Sequence, residues 1–189
     1  LEFRRVLFRS DDAAAGVREH AVRLASGRAA SSPELRRRVL AAANDSEIRV
    51  RYQAAFAASG LTGDDAVEAA LTILRRDGSD HWVRAAALGA SPDQCGKIAR
   101  RALRDSALVR AESGPEVLRQ LLFVAGAQAR RENLDALFAA YPGDNDPLFW
   151  SALGDGLRQA GKNFRSAFTP ESPIARRARS EEHTSELQS

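Results

Sequence analysis

The feature that most constrains the fold is a short motif that recurs at a fixed interval of about 33 residues. The motif is Val-Arg-x-x-Ala, and its three clear copies contain Arg18, Arg51 and Arg84. Counted from Val83, the first residue of the third copy, the next two intervals fall on Glu116 and Phe149, where the motif has decayed but the apolar helix pattern continues. A period of this length is typical of helical repeat proteins, in which each repeat packs only against its neighbours.

Each repeat has the composition of a helix pair. In the second repeat Pro33 opens a helix, because the amide hydrogen that proline lacks is not needed in a first turn. The next helix follows an acidic turn at Asp45 and Glu47 and ends at Gly60. The chain is rich in alanine and leucine and has no sustained strand alternation. We therefore predict an all-α, right-handed α-solenoid of about five helix pairs, with about nine helices between residues 13 and 160.

The charged residues around each second helix suggest how neighbouring repeats are held together. Carboxylates before a helix can accept its unpaired amide hydrogens and complement its dipole, and Asp80 is the best-placed cap. The repeated arginines occupy equivalent positions, so we hypothesise that each pairs with a carboxylate in the inter-helix turn of the neighbouring repeat. The repeat positions with these structural roles are Arg18, Arg51, Arg84, Asp45, Glu47 and Asp80.

Composition excludes several kinds of site. A single cysteine cannot form a disulfide framework or a cysteine-rich zinc centre, and no CxxCH is present for covalent haem attachment. Cys95 has only His20 and His81 as candidate bases within the repeats, and each lies in a different repeat, so we expect a structural thiol. No apolar stretch approaches the roughly 20 residues of a transmembrane helix. We predict no catalytic, cofactor or metal residues and no membrane insertion in this segment.

Surface charge and aromatic residues bear on the class of partner. The net charge is only +3, and acids are interleaved with the arginines, so nucleic acid is a less favoured partner than protein. An arginine face free of acids would reverse that preference. Trp82 and Trp150 lie near equivalent repeat positions, where we expect them to pack over the inter-helix turn. Both are also candidates for contact with a partner protein.

The acidic turn followed by Val-Arg-x-x-Ala resembles HEAT repeats. VREHAVRLA at Val17–Ala25, SEIRVRYQAAFAAS at Ser46–Ser59 and RDGSDHWVRAAALGAS at Arg76–Ser91 are similar to the helical-repeat region of PVC-type haem-binding proteins. GDGLRQAGKNF at Gly154–Phe164 is similar to the end of that region. These large secreted proteins are also described as membrane-bound dehydrogenases. They typically carry a β-propeller domain before the repeats and a c-type cytochrome domain after them.

The resemblance implies a parent protein with redox chemistry in a periplasmic or extracytoplasmic location. The segment itself is then expected to be a non-catalytic scaffold or protein-interaction module, without a cofactor of its own. Two alternatives stay open at this point, a nucleic-acid-binding HEAT-like solenoid and a HEAT-like lyase that acts on a chromophore-bearing partner.

Both ends of the chain have the sequence of a translated sequencing adapter. The peptides LEFRRVLFRS and RSEEHTSELQS are encoded by opposite strands of one common oligonucleotide. The chain also contains no methionine. We therefore expect residues 1–10 and 179–189 to be non-native, and residues 11–178 to be the repeat segment of a longer protein.

Overall fold

The computed structural model describes residues 9–89, 92–141 and 146–162. All regular structure within these ranges is helical, which confirms the predicted all-α class. The predicted non-native segments lie outside these ranges, except for residues 9 and 10. The helices are α1 (Ala15–Ser26), α2 (Pro33–Ala41), α3 (Ile48–Ser59), α4 (Asp64–Asp77), α5 (His81–Leu88), α6 (Pro92–Leu103), α7 (Ser106–Arg110), α8 (Gly114–Gln128), α9 (Arg131–Ala140) and α10 (Pro147–Gln159).

The starts of the helices keep the sequence period beyond the last recognisable copy of the motif. Five helices, α1, α3, α5, α8 and α10, begin at one constant interval that equals the period of the motif. Their first residues are Ala15, Ile48, His81, Gly114 and Pro147. The interval thus holds in the last two repeats, where Val-Arg-x-x-Ala is no longer recognisable. We refer to these five as the B helices, and to α2, α4, α6 and α9 between them as the A helices.

The number of helices differs from the prediction of about nine. Ten α-helices have both ends within the described ranges, and one turn of 3-10 helix at Ala42–Asn44 continues α2. The additional helix is the five-residue α7, which lies between A helix α6 and B helix α8. Asp105 caps α7 by accepting from the amides of Ala107 and Leu108. The break falls at Arg104–Asp105, between two apolar stretches, and the sequence pattern there does not separate α7 from α6.

Contacts between helices follow chain order within each set. Among the B helices, α1 packs on α3, α3 on α5, and α8 on α10; among the A helices, α2, α4, α6 and α9 contact in sequence. The contact between α5 and α8 is weak, and α8 packs instead against α6. Buried alanines on α3, such as Ala54 and Ala58, bring the neighbouring backbones close.

Helices α8 and α10 approach each other closely through a pair of glycines. Gly126 and Gly156 face each other there, and a Cβ at either position would overlap a backbone carbonyl oxygen of the facing helix. The apolar core runs through both sets of helices and includes the fully buried Leu74, Leu121 and Phe149. Burial of side chains of this size stabilises the fold by roughly 1.5–3 kcal/mol each.

Candidate functional site

Arg18 links the first two repeats through both sides of its guanidinium. Its Nε and Nη2 donate to the two carboxylate oxygens of Asp45 at 2.7 and 2.8 Å. Its Nη1 donates to the carbonyl oxygens of Asp12 and Ala13, in the turn before its own helix. Planar, two-pronged pairing of this kind fixes geometry as well as charge. Arg18 therefore ties the start of α1 to the start of α3.

Arg51 repeats this arrangement one period further along the chain. Its Nε and Nη2 donate to the Asp77 carboxylate at 2.5 and 2.7 Å. Its Nη1 donates to the carbonyl oxygens of Asp45 and Ser46, at 2.7 and 2.8 Å. The side chains of this pair are only 5% and 6% exposed, which makes it the most buried ion pair of the described residues. Asp45 thus serves two repeats, by its side chain and by its carbonyl group.

Arg84 keeps half of the arrangement and lacks the other half. Its Nη1 donates to the carbonyl oxygens of Gly78 and Ser79, as the earlier arginines do in their own turns. Its Nε donates at 3.3 Å to the amide oxygen of Gln120, which carries no charge. The hypothesis of a carboxylate partner for each repeat arginine therefore fails at this position. We call Arg18, Arg51 and Arg84 with their partners the arginine ladder.

The acids before the B helices have more varied roles than the sequence indicated. Asp80 caps α5 by accepting from the amides of Trp82 and Val83 at 2.8 and 2.9 Å. Glu47 stands at the equivalent position before α3 but makes no side-chain cap, so that expectation is wrong. Asp45 accepts from the Glu47 amide instead.

Asp77 is one of the two acids that precede the third copy of the motif, and it is Asp77, not Asp80, that pairs with Arg51. A strict period after Asp45 falls on Gly78, and Asp77 is the residue before it. Asp77 closes α4, whereas Asp45 follows the 3-10 turn after α2. The two carboxylates therefore reach equivalent arginines from slightly different places in the chain.

The electrostatic state of the ladder follows from these contacts. Hydrogen bonds from Arg18 hold the pKa of the Asp45 carboxyl below its ordinary value, and burial opposes that shift. The bonds to Asp77 raise the pKa of Arg51 in the same way. Two-pronged pairing with arginine fixes the position of each carboxylate between neighbouring repeats.

Cys95 has the environment expected of a structural thiol. It is fully buried in α6, and its Sγ lies 3.5 Å from the carbonyl oxygen of Leu88. Desolvation raises the pKa of this thiol, and a hydrogen bond involving Gln128 opposes the shift. A raised pKa lowers the thiolate fraction on which nucleophilic and metal-binding chemistry depends.

An open apolar groove lies on the surface formed by α1, α3 and α5. It has a volume of about 330 Å³ and is lined by Glu19, Ile48, Arg49, Tyr52, Asp80, Trp82 and Val83. Trp82 is 69% exposed, so the expectation that it packs over an inter-helix turn is wrong. Ile48 and Tyr52 on α3 also line the groove and are exposed, so three large side chains of the lining present apolar surface to solvent. Contiguous exposed apolar groups of this kind mark interaction sites.

Trp150 differs from Trp82 in its surroundings. It is partly buried against the core and stacks on Phe138, with ring centroids 5.7 Å apart. Phe149 and Tyr141 contact it edge-on. Trp150 therefore packs in an aromatic cluster between α9 and α10, and it is less exposed than Trp82.

Charge on the described surface is mixed. Many surface arginines have an acidic partner within 4 Å, in the pairs Arg36–Asp65, Arg49–Glu19, Arg75–Asp105, Arg101–Asp64, Arg119–Glu116 and Arg158–Asp155. Interleaving of this sort reduces the local positive field that attracts a phosphate backbone. The described ranges also contain no cluster of three or more His, Cys, Asp or Glu that could hold a metal ion. No helix within them is both long and apolar enough to span a membrane.

The chain matches no known family model, no curated protein and no solved structure.

Proposed function

We propose that this chain is a non-catalytic protein-interaction module, built as a right-handed α-solenoid of HEAT-like helix pairs. The parent protein on this proposal is a larger extracytoplasmic haem-binding, dehydrogenase-like protein, in which the repeats space the domains that carry redox chemistry. The module itself contributes no cofactor. Its partners are proteins, either the neighbouring domains of the parent or a separate chain.

The observation that supports the proposal most directly is the regular start of the five B helices at one constant interval. A one-dimensional array of this kind derives its stability from contacts between neighbouring repeats and leaves one long face of each set of helices for binding. The Arg18–Asp45 and Arg51–Asp77 pairs join consecutive repeats, as the proposal requires. The exposed groove between α1, α3 and α5 supplies an apolar contact surface on the B helices.

The proposed architecture is tested by small-angle X-ray scattering of the purified chain. An elongated array gives a larger maximum dimension and radius of gyration than a globular bundle of the same length, for which the radius of gyration is about 16 Å. A symmetric pair-distance distribution, with a radius of gyration equal to that of the globular bundle, would contradict the solenoid.

The proposed role is tested on the complete gene and its products. We expect the reading frame to continue into a segment with a CxxCH motif, and the encoded domains to bind the repeat segment in isothermal titration calorimetry. Duplex DNA serves as the competing ligand at two salt concentrations, because phosphate-driven binding weakens steeply with salt. Binding to DNA alone, or a short complete frame without flanking domains, would overturn the proposal.

A further inference from the structure

We infer that the groove between α1, α3 and α5 binds a basic side chain, arginine or lysine, presented by a segment of a partner protein. This inference rests on the proposed interaction function and names the chemistry of the partner that the groove selects. It is carried by the aromatic walls of the groove, by its charge and by its unused hydrogen-bonding groups.

The aromatic walls are Tyr52 on α3 and Trp82 on α5. Both side chains are exposed, Tyr52 at 37% and Trp82 at 69%. The ring of His81 contacts Trp82 edge-on, with centroids 5.3 Å apart, which restricts the orientation of the indole. Aromatic faces attract ammonium and guanidinium groups that approach within about 6 Å. Ile48, 41% exposed, provides apolar surface beside them, suited to the aliphatic stem of lysine or arginine.

The charge of the groove favours a cation. Its lining contains two carboxylates, Glu19 and Asp80, and one cation, Arg49. Arg49 is already paired with Glu19, since Nη2 lies 3.1 Å from Oε2. The remaining acid is Asp80, which uses Oδ1 to cap α5. Its Oδ2 has no partner among the described residues, so one carboxylate oxygen beside the aromatic faces is free to accept from a guanidinium or ammonium group.

Two further groups favour a peptide segment over a free small cation. The hydroxyl of Tyr52 and the indole N–H of Trp82 make no hydrogen bond within the described ranges. Each can donate to a backbone carbonyl oxygen of a bound chain. The groove is open along the surface of three helices, so a partner backbone can lie over it while one side chain enters.

The test measures binding of short fluorescein-labelled peptides to the complete chain by fluorescence anisotropy. Three peptides share a leucine-rich sequence and differ at one central position, which is arginine, glutamine or glutamate. We expect the arginine peptide to bind about 10-fold more tightly than the glutamine peptide, and the glutamate peptide to bind most weakly. A lysine version extends the comparison to the ammonium group.

Two variants of the groove separate its contributions. Asp80→Asn keeps an oxygen that can cap α5 but removes the charge, so we expect about 5-fold weaker binding of the arginine peptide and no change for the glutamine peptide. Trp82→Ala removes an exposed ring and should weaken the arginine peptide about 10-fold with unchanged helicity. Phe56→Ala is the matched control, since Phe56 is 60% exposed on α3 but does not line the groove.

Each contrary result has a defined meaning. Equal affinity for the arginine and glutamine peptides, with no effect of Asp80→Asn, would overturn the inference of a cationic ligand. An equal effect of Phe56→Ala and Trp82→Ala would overturn the assignment of the groove. If the flanking domains bind the chain and Trp82→Ala leaves that binding unchanged, the inference fails while the proposed function stands. If the arginine peptide binds as expected but the flanking domains do not bind, the proposed function fails and the inference stands. Concentration-dependent dimerisation that Trp82→Ala abolishes would assign the groove to a second copy instead.

Discussion

The Arg51–Asp77 pair provides the sharpest test of how the repeats are joined. Replacement of Asp77 by Asn keeps the size of the side chain but removes its charge and turns one acceptor into a donor. Nε and Nη2 of Arg51 now each donate to a carboxylate oxygen. In the variant one of them would face an amide NH₂ group, donor against donor, and the guanidinium would remain buried without its directly paired counter-charge.

The expected cost follows from the burial of the pair. Both side chains are less than 10% exposed, and loss of one partner from such a pair destabilises a protein by roughly 3–5 kcal/mol. Arg51 retains the carbonyl oxygens of Asp45 and Ser46 in the variant, so we expect a value at the lower end, about 3 kcal/mol. Glu34→Gln is the control, because its pairs with Arg37 and Arg38 are exposed and are expected to contribute about 0–1 kcal/mol.

The measurement is urea unfolding monitored by far-UV circular dichroism. It covers the wild type, Asp77→Asn and Glu34→Gln, together with Arg51→Met and the Arg51→Met/Asp77→Asn double variant, which complete a double-mutant cycle. We expect Asp77→Asn and Arg51→Met to be strongly non-additive, with a coupling free energy of about 2 kcal/mol. A cost for Asp77→Asn no larger than that of Glu34→Gln would refute the reasoning, because the buried pair would then contribute no more than an exposed one. Additive single variants would refute it in a second way.

The remaining predictions concern helix packing, pH and the third rung of the ladder. Gly156→Ala should lower the free energy of unfolding by about 2 kcal/mol, because a Cβ there overlaps the carbonyl oxygen of Phe123. Gly16→Ala, which has open space around it, should be neutral or stabilise α1 by about 0.5–1 kcal/mol. Urea unfolding measures both variants, and equal effects would contradict the close contact at Gly156. The Arg18–Asp45 pair stabilises the fold fully above the ordinary carboxyl pKa of about 4, and this stabilisation is lost as pH falls through the lowered folded-state pKa of Asp45. The difference in free energy of unfolding between wild type and Arg18→Met should therefore shrink in acid. A difference that grows in acid would contradict this. Gln120→Glu alone should change the free energy of unfolding little, because it places a second carboxylate beside Glu116. Gln120→Glu combined with Glu116→Gln should raise the free energy of unfolding by about 1 kcal/mol, because Arg84 then has a charged partner. Equal stability of the single and the double variant would show that charge at this rung is unimportant.

The period and the helical class could be predicted from the sequence because both depend on local signals. Helix propensity, the glycine after α3 and the acid before α5 each act within one turn of the chain. The same signals do not reveal α7, since Asp105 and Ser106 do not stand out from the middle of a longer amphipathic helix. The A helices do not start at a constant interval, because α7 is inserted after α6 and the loops between helices differ in length.

The candidate site was less accessible to prediction, because it depends on which residues meet across repeats. The sequence predicts that Arg18 and Arg51 pair with acids of the neighbouring repeat, but it does not show whether Asp77 or Asp80 meets Arg51. Trp82 stands out in the sequence as a large side chain, but its exposure depends on which face of α5 packs against α3. Burial of this kind is a property of packing, and one sequence carries no direct signal for it.

The ladder and the groove are connected through the positions of their residues. Glu19 and Tyr52 directly follow the ladder arginines Arg18 and Arg51, so the pairs that fix the register of α1 and α3 also fix the spacing of these two groove residues. The carboxylate ladder ends at Arg84, and the direct contact between consecutive B helices weakens at the same place, between α5 and α8. The groove is therefore confined to the helices whose register the buried ion pairs hold. A change that breaks Arg51–Asp77 should disturb binding in the groove, although neither residue lines it.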